Sequence, residues 1–305
     1  MPGVSTTLTK GARVQNRRAA LEMLAAAFAF ATMSCIAHGF GGLVAWPVLA
    51  FTRIVVSMVL IHAVRHMAGA PFVVRGTGAL WGRSLFGSVG LMCTFFAITR
   101  LPVTDAVTIF ATTPVWVTVI LMAVFRHTMP AGVWLHVLLA LSGVYLMHRP
   151  TFDAESLPLL VALTGAVAGA SAKVALARCH GLHPLSVVAH YTTVATGITM
   201  VLCVVAPAAI VLSPDMQPVW WLWLLPMGIA GTLAQVLMTH AYGRGRTTMV
   251  AVVGISQIAF AALYDLLVWG YRLDLYKVVG IAMIAVAIML SVTAAAKHQF
   301  GGKSC

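Results

Sequence analysis

The sequence predicts an all-α integral membrane protein, with ten transmembrane helices arranged as two inverted five-helix repeats. Three observations predict this fold class: the chain is 61% hydrophobic and only 9% charged, its apolar residues form ten long runs, and its basic residues alternate between the gaps. Soluble domains average about 25% charged residues, so this composition cannot supply a water-exposed surface. Ten helices of about 20 residues each fit the 305-residue length with short connections.

Five apolar runs occupy the first half of the chain, separated by Gly- and Pro-containing gaps such as 39–42 and 69–71. The first run follows Arg17 and Arg18 and is interrupted by Glu22. Because further runs follow, it is interpreted as an uncleaved helix and not as a signal peptide. The predicted helices are Ala19–His38, Pro47–Val64, Ala79–Ile98, Val103–Phe125 and Val133–His148.

The second half has the same organisation, with Pro184 and the segment 243–245 marking two of its gaps. No gap is long enough to hold a soluble domain. The predicted helices are Leu157–Cys179, Leu185–Pro207, Val219–Tyr242, Thr247–Trp269 and Leu275–Ala296.

The basic residues predict the orientation. The net charge is +12, but the charges are scattered between apolar runs, which argues against nucleic-acid binding. With the N-terminus in the cytoplasm, thirteen of the 19 Lys and Arg residues fall in inner segments, four fall outside and two lie within helices. This bias predicts that both termini are cytoplasmic. The thirteen are Lys10, Arg13, Arg17, Arg18, Arg65, Arg75, Arg83, Arg126, Arg178, Arg244, Arg246, Lys297 and Lys303.

A shift of 144 residues lays the first five runs over the second five, which defines predicted repeats at residues 19–148 and 157–296. Under this shift Gly87 aligns with Gly231, and Arg100 aligns with Arg244. Because five crossings reverse direction, the second repeat must be inverted relative to the first. Inverted repeats are typical of secondary transporters, whose solute site lies near the membrane midplane.

The chain resembles EamA-type members of the drug/metabolite transporter superfamily, over residues 21–290. The resemblance rests on segments 51–53, 83–87, 96–106, 113–114, 148–150 and 235–242. It implies a ten-helix fold in the inner membrane of a bacterium, and export or uptake of metabolites. The chain departs from the family pattern where Gly-Glu commonly follows the fourth and ninth helices. Those positions read Arg126-His127 and Gly270-Tyr271, and Ile258 replaces the familiar Pro of the ninth helix.

Charged side chains inside the predicted helices are the first candidates for a solute path, because a charge at mid-bilayer costs about 2.5–3.5 kcal/mol on insertion scales. Arg53 matches the family Arg and could contact a carboxylate, or could fix helix packing through an ion pair or a carbonyl. Lys173 follows the small residues Gly165 and Gly169, and could face a cavity or extend toward the interface. Asp265 could couple transport to protons or serve as a static partner of a basic group.

Uncharged candidates for the path are the membrane residues His190, Gln235, His240 and Gln257, each of which could instead be a hydrogen-bonded packing residue. Trp116, with Phe95, Phe96 and Tyr264, could line an apolar solute cavity or simply pack.

Two further acids have structural interpretations. Glu22 is expected to pair with Arg18 one turn earlier. Asp105 is expected to cap the fourth helix or to contact its dipole.

The predicted function is a secondary transporter that exports a small metabolite or drug-like solute, such as an amino acid or another carboxylate. An integral membrane enzyme or a non-transporting receptor subunit are the alternatives; the first would show activity without flux, the second binding without flux. No catalytic motif, nucleotide-binding loop or metal-ligand spacing occurs, so no enzyme activity, cofactor or metal is expected. The expected partners are a small solute and the lipid bilayer, with a homodimer left open.

Overall fold

The structure, a computed structural model, describes residues 3–73, 77–113, 115–117, 119–120, 131–148, 156–176, 178–179, 181–205, 221–244, 250, 253–271 and 274–301. These residues are helical, apart from short connections. The helices are α1 (Gly3–Gly39), α2 (Trp46–Met67), α3 (Gly78–Ile98), α4 (Val103–Ala111), α5 (Ala131–His148), α6 (Leu157–Leu176), α7 (Pro184–Val205), α8 (Trp221–Arg244), α9 (Ser256–Leu267) and α10 (Leu275–Gly301).

Six of these helices are long and apolar enough to cross a membrane: α1 from Arg17 onward, α2, α3, α6, α7 and α8. Shorter apolar segments occur in α4, α9 and α10. The all-α membrane class is therefore confirmed, since a lipid-solvated backbone must satisfy its hydrogen bonds within each helix.

The helix boundaries differ from the predicted ones mainly at α1, α4 and α9. α1 begins at Gly3 instead of Ala19, because no Pro interrupts the polar segment that precedes the apolar run. α4 ends at Ala111, three residues before Pro114, whose missing N–H and ring are incompatible with a regular helix. Residues 121–130, which include the predicted end of this helix, lie outside the described residues, as do 245–249 at the predicted start of α9.

Large apolar side chains cover the outward faces of the helices. An aqueous surface would place polar groups there, whereas a hydrocarbon surface accepts these side chains without cost. Examples with more than half of their surface exposed are Val59, Leu160, Val204, Leu222 and Leu267.

The helices pack in pairs that join the two halves of the chain. The most extensive contacts are α3–α6, α1–α8, α5–α10 and α2–α7, followed by α2–α8, α1–α9, α3–α7 and α4–α9. Phe95, Ile54, Met227 and Tyr191 belong to the largest buried apolar cluster, which draws on both halves.

Glycines allow several of these helix pairs to approach closely. A β-carbon on Gly165 of α6 would lie 2.6 Å from the β-carbon of Cys93 in α3. A β-carbon on Gly90 of α3 would lie 3.6 Å from the backbone nitrogen of Gly169. The small residues Gly165 and Gly169 of α6 therefore lie in the α3–α6 contact, where the sequence predicts that another backbone can approach closely.

Candidate functional site

Arg53 lies inside the helix bundle, as the eighth residue of α2. Its side chain is only 3% exposed, and its Nη2 donates a hydrogen bond of 3.3 Å to the carbonyl oxygen of Gly231 in α8. The absence of a side chain at Gly231 makes this contact geometrically feasible, because a β-carbon there would lie 2.8 Å from Nε. Among the described residues, Nε and Nη1 of Arg53 have no hydrogen-bond partner. The contact is the carbonyl interaction considered above, and it leaves two buried donors free.

Arg83 is a second buried arginine, and it was counted in the sequence analysis only as an inner-segment charge. It is the sixth residue of α3 and is 7% exposed. Its guanidinium carbon lies 4.4 Å from the centre of the Tyr191 ring in α7. The sequence did contain the signal: Arg83 lies within the predicted helix Ala79–Ile98 and begins the family-like segment 83–87.

Lys173 lies near the C-terminal end of α6 and is half-buried. α3 and α6 run antiparallel, since Gly82 faces Ala175 and Gly90 faces Gly169. Lys173 is therefore at the same level of the α3–α6 contact as Arg83.

Arg53, Arg83 and Lys173 form what we call the cationic set. They lie on helices that contact one another in series, because α2 packs on α3 and α3 packs on α6. Arg53 and Arg83 are buried and Lys173 is half-buried. Like charges repel more strongly inside a protein than in water, so these three cations together favour an anion.

The described carboxylates are engaged elsewhere. Asp265 accepts hydrogen bonds from the backbone N–H groups of Val103 and Thr104. Lys277 is contacted by two acids: its ammonium by Asp105 and its backbone N–H by Asp274. Glu22 contacts the guanidinium of Arg244. None of these contacts involves the three cations. Within the described part of the chain, the cationic set is therefore not neutralised.

Asp265 caps helix α4 from a different element. It is 2% exposed in α9, and its Oδ1 and Oδ2 accept hydrogen bonds from the N–H groups of Val103 (3.1 Å) and Thr104 (2.7 Å). A carboxylate at a helix N-terminus satisfies free N–H groups and the helix dipole. This geometry favours the static interpretation of Asp265, with backbone amides of α4 in place of the expected basic side chain.

Asp105 lies in the first turn of α4, the position expected of a carboxylate that contacts the helix dipole. The N-cap position itself is Pro102. Oδ2 of Asp105 is 3.3 Å from Nζ of Lys277 at the start of α10. α4 is thus held to both α9 and α10 by carboxylates at the same end.

Glu22 was predicted to pair with Arg18, but the ion pair that the structure describes is with Arg244 of α8. The reason is tertiary: α1 and α8 pack antiparallel, so the C-terminal residue of α8 lies beside the start of the apolar part of α1. An inter-helix partner is available that helical spacing alone does not reveal.

His190 joins α7 to α3 beside Tyr191, the residue that Arg83 contacts. It is buried in α7; its Nδ1 is 2.8 Å from Oγ of Ser84, and the Trp81 ring meets its imidazole edge-on with centroids 4.9 Å apart. These two contacts favour the packing interpretation of His190.

The other uncharged candidates are not gathered into one site. Gln235 is buried in α8, and its Nε2 has no partner among the described residues. It lies about one helical turn from Gly231, the residue that Arg53 contacts. His240 lines a shallow hollow between α7 and α8 with Val236 and Thr239. Gln257 is half-buried in α9.

The predicted aromatic set also divides among different contacts. Phe95 is fully buried in the core, Phe96 packs edge-on against Trp46 at 5.6 Å, and Tyr264 is 2.8 Å from Thr32 through its hydroxyl. Trp116 is half-buried, with no partner for its Nε1 in the described part of the chain.

An open groove of about 280 Å³ lies between α9 and α10. Its lining contains none of the three cations and is apolar throughout: Ile255, Ile258, Ala259, Ala262, Val278 and Ile281. The groove is thus distinct from the cationic set.

Comparison with known proteins is consistent with this architecture. The sequence pattern of the EamA-like transporter family matches residues 17–149 and 156–293. The pseudopaline exporter CntI of two Pseudomonas aeruginosa strains is 26% identical over 267 residues, which cover 86% of this chain and 91% of the exporter. The probable transport protein YPL264C of Saccharomyces cerevisiae is 22% identical over 241 residues, 71% of this chain and 68% of that protein.

A solved crystal structure shares the fold, with a TM-score of 0.65 over 92% of this chain and 99% of the other, at 17% identity. The family match covers most of the chain and agrees with the resemblance found in the sequence. This chain is a multi-pass membrane transporter and belongs to the EamA-like transporter family.

Proposed function

We propose that this transporter exports a small metabolite that carries a carboxylate, and that Arg53 contacts that carboxylate. The observation that carries the proposal is the buried guanidinium of Arg53, which has one backbone contact and two unpartnered donors among the described residues. A buried polar group without a partner costs about 1–3 kcal/mol, and more when it is charged. A carboxylate can accept two parallel hydrogen bonds from one guanidinium, which offsets that cost when solute binds.

The mechanism in this proposal is alternating access by two inverted repeats, residues 19–148 and 157–296. The helix contacts support it: exchanging α1–α5 with α6–α10 converts the α3–α6 pair into α8–α1 and the α2–α8 pair into α7–α3, all of which occur. The pairs α2–α7, α4–α9 and α5–α10 convert into themselves and also occur. Rocking of two equivalent bundles about a central site requires this kind of two-fold relation.

The glycines at positions 87 and 231, aligned by the 144-residue shift, support the same proposal. Gly231 of α8 adjoins Arg53 of α2, and Gly87 of α3 adjoins Tyr191 of α7. Each glycine therefore makes room for a side chain from the second helix of the other repeat. Equivalent contacts on the two sides are expected if both bundles line one path.

The names of the relatives support the proposed direction, and the basic residues support the proposed location. The Pseudomonas aeruginosa relatives are exporters by name, which supports export. The excess of basic residues in alternate gaps supports a bacterial inner-membrane protein with both termini in the cytoplasm.

The test is flux through the purified protein in proteoliposomes. A panel of labelled carboxylates is paired with the corresponding neutral amides, and wild type is compared with Arg53→Gln and Arg53→Lys. We expect Arg53→Gln to slow carboxylate flux by about tenfold or more, the equivalent of one charge-assisted hydrogen bond. Arg53→Lys should retain part of the flux because it keeps the charge but not the paired donors.

The matched control is Arg100→Gln, since Arg100 is exposed and stacks on Phe96; its flux should stay near wild type. Carboxylate flux at the wild-type rate in Arg53→Gln would contradict the proposal. An equal loss for acids and amides, together with a lower melting temperature, would instead assign Arg53 to helix packing.

A further inference from the structure

Arg83 and Lys173 form a cationic pair on a different helix contact from Arg53. Arg83 is in α3 and Lys173 in α6, whereas Arg53 joins α2 to α8. The glycine contacts of α3 with α6 put the two basic residues at one level, near the N-terminal end of α3 and the C-terminal end of α6. In the orientation predicted from the basic residues, this level is in the cytoplasmic half of the membrane.

The surroundings hold Arg83 in one position. Its guanidinium lies over the Tyr191 ring, and Gly87 is so close to both that a β-carbon there would overlap them. The next residue on α7, His190, is fixed by Ser84 and Trp81. A cation whose supporting groups are already in place loses little entropy when it binds a ligand.

Neither cation has an acidic partner in the part of the chain that the structure describes. Arg83 makes the cation–π contact with Tyr191 and, among those residues, no hydrogen bond, while Lys173 has no ion pair. A buried cation without a counter-charge is costly unless a ligand supplies the anion. α2, which carries Arg53, packs on α3, which carries Arg83, so the two cations belong to neighbouring helices.

We propose that Arg83 and Lys173 are a second anion-binding position, and that the transported solute therefore carries two anionic groups, as a dicarboxylate does. One group contacts Arg53 and the other contacts the Arg83–Lys173 pair. This inference rests on the proposed function, because it places the second group of the same solute. A dianion lowers the mutual repulsion of all three cations, which a single carboxylate at Arg53 does only in part.

The experiment compares succinate with its mono-amide, succinamate, which has the same carbon skeleton and one fewer negative charge. For each compound, we measure the concentration that gives half of the maximal protection of the purified protein against thermal unfolding in detergent. The variants are Arg83→Gln and Lys173→Gln, with Arg83→Lys as the charge-keeping form and Arg53→Gln for the first position. The control is Arg65→Gln, because Arg65 is already engaged by the Ala70 carbonyl and the Phe72 ring.

For wild type and Arg65→Gln, we expect succinate to protect at a concentration about tenfold or more below that of succinamate. Arg83→Gln and Lys173→Gln should each reduce that ratio toward one while leaving succinamate protection within about threefold of wild type. Arg83→Lys should keep most of the ratio, which excludes a folding defect as the cause. Melting temperatures without ligand report folding for every variant.

The outcomes separate the two proposals. An unchanged succinate preference in Arg83→Gln and Lys173→Gln, or equal protection by the two acids in wild type, would overturn the second position alone. Protection by neither acid, or normal protection by both in Arg53→Gln, would overturn the carboxylate contact at Arg53 and the inference with it.

Discussion

Asp265 shows how one buried carboxylate can join two elements. Its two oxygens accept hydrogen bonds from consecutive N–H groups at the start of α4, although Asp265 belongs to α9. Both carboxylate oxygens are therefore already in use as hydrogen-bond acceptors. A proton-coupling carboxylate would have to release these contacts in each transport cycle.

Replacing Asp265 by Ala should destabilise the protein by about 1–3 kcal/mol, because two buried N–H groups lose their acceptor. Asp265→Asn keeps one acceptor oxygen and should lose less. Thermal unfolding in detergent measures both, and Asp274→Ala is the control, because Asp274 accepts an exposed hydrogen bond at the start of α10. The Asp274→Ala variant should lose about 1 kcal/mol or less of its free energy of unfolding.

The pH dependence of transport distinguishes the two roles of Asp265. If the residue is a structural cap, the pH profile of Asp265→Asn should match that of wild type even where the rate is lower. Loss of all pH-driven transport in a well-folded Asp265→Asn protein would restore the coupling interpretation.

At the scale of the elements, glycines decide which helices touch. Gly228 of α8 packs directly on Val56 of α2, where a β-carbon would lie 2.6 Å from the Val56 β-carbon. Nearby, the hydroxyls of Ser57 and Thr232 are 2.6 Å apart and join the same two helices. This α2–α8 contact also carries the Arg53 hydrogen bond to Gly231, so its spacing controls the position of the guanidinium.

Gly228→Ala should therefore destabilise the protein by about 1–3 kcal/mol through overpacking and should lower carboxylate flux. Gly197→Ala in α7 is the matched control, because nothing lies within 4 Å of its added β-carbon. That control should be neutral or stabilising by up to about 1 kcal/mol, since Ala favours a helix more than Gly does. Equal melting temperatures for the two variants would argue against a tight α2–α8 contact.

At the scale of the whole molecule, every extensive contact pairs a helix of one half with a helix of the other half. Neither half is therefore expected to bury its polar and small-residue faces alone. This arrangement is compatible with one path between the halves, reached in turn from each side of the membrane.

The orientation can be tested with Cys305, which follows the last predicted helix. In a variant in which Cys35, Cys93, Cys179 and Cys203 are replaced by Ala, Cys305 is the only thiol left. A membrane-impermeant maleimide should label it in inside-out vesicles and not in intact spheroplasts, because both termini are expected in the cytoplasm. Labelling in intact spheroplasts would contradict the predicted topology, and a Cys305→Ser version serves as the background control.

The three buried or half-buried cations show which features of the site can be predicted from the sequence and which cannot. A hydropathy pattern gives the depth of a residue along its helix, and this was enough to single out Arg53 and Lys173 as charges inside the membrane. It does not give the direction in which a side chain points around the helix, so Arg83 was assigned to an inner segment although it is buried against Tyr191. For the same reason, Glu22 was paired with a residue one turn away instead of with Arg244.

The amino-acid sequence by itself determined that this protein lies in a lipid bilayer, that it is helical, and which family it belongs to. Lipid accepts only a backbone that satisfies its hydrogen bonds internally, and long apolar runs meet that requirement locally. Only the tertiary structure decided which group each buried charge contacts: Asp265 the amides of α4, Arg53 a carbonyl of α8, and Arg83 a ring of α7. Those partners are distant in sequence, and they meet because helices from opposite halves pack together.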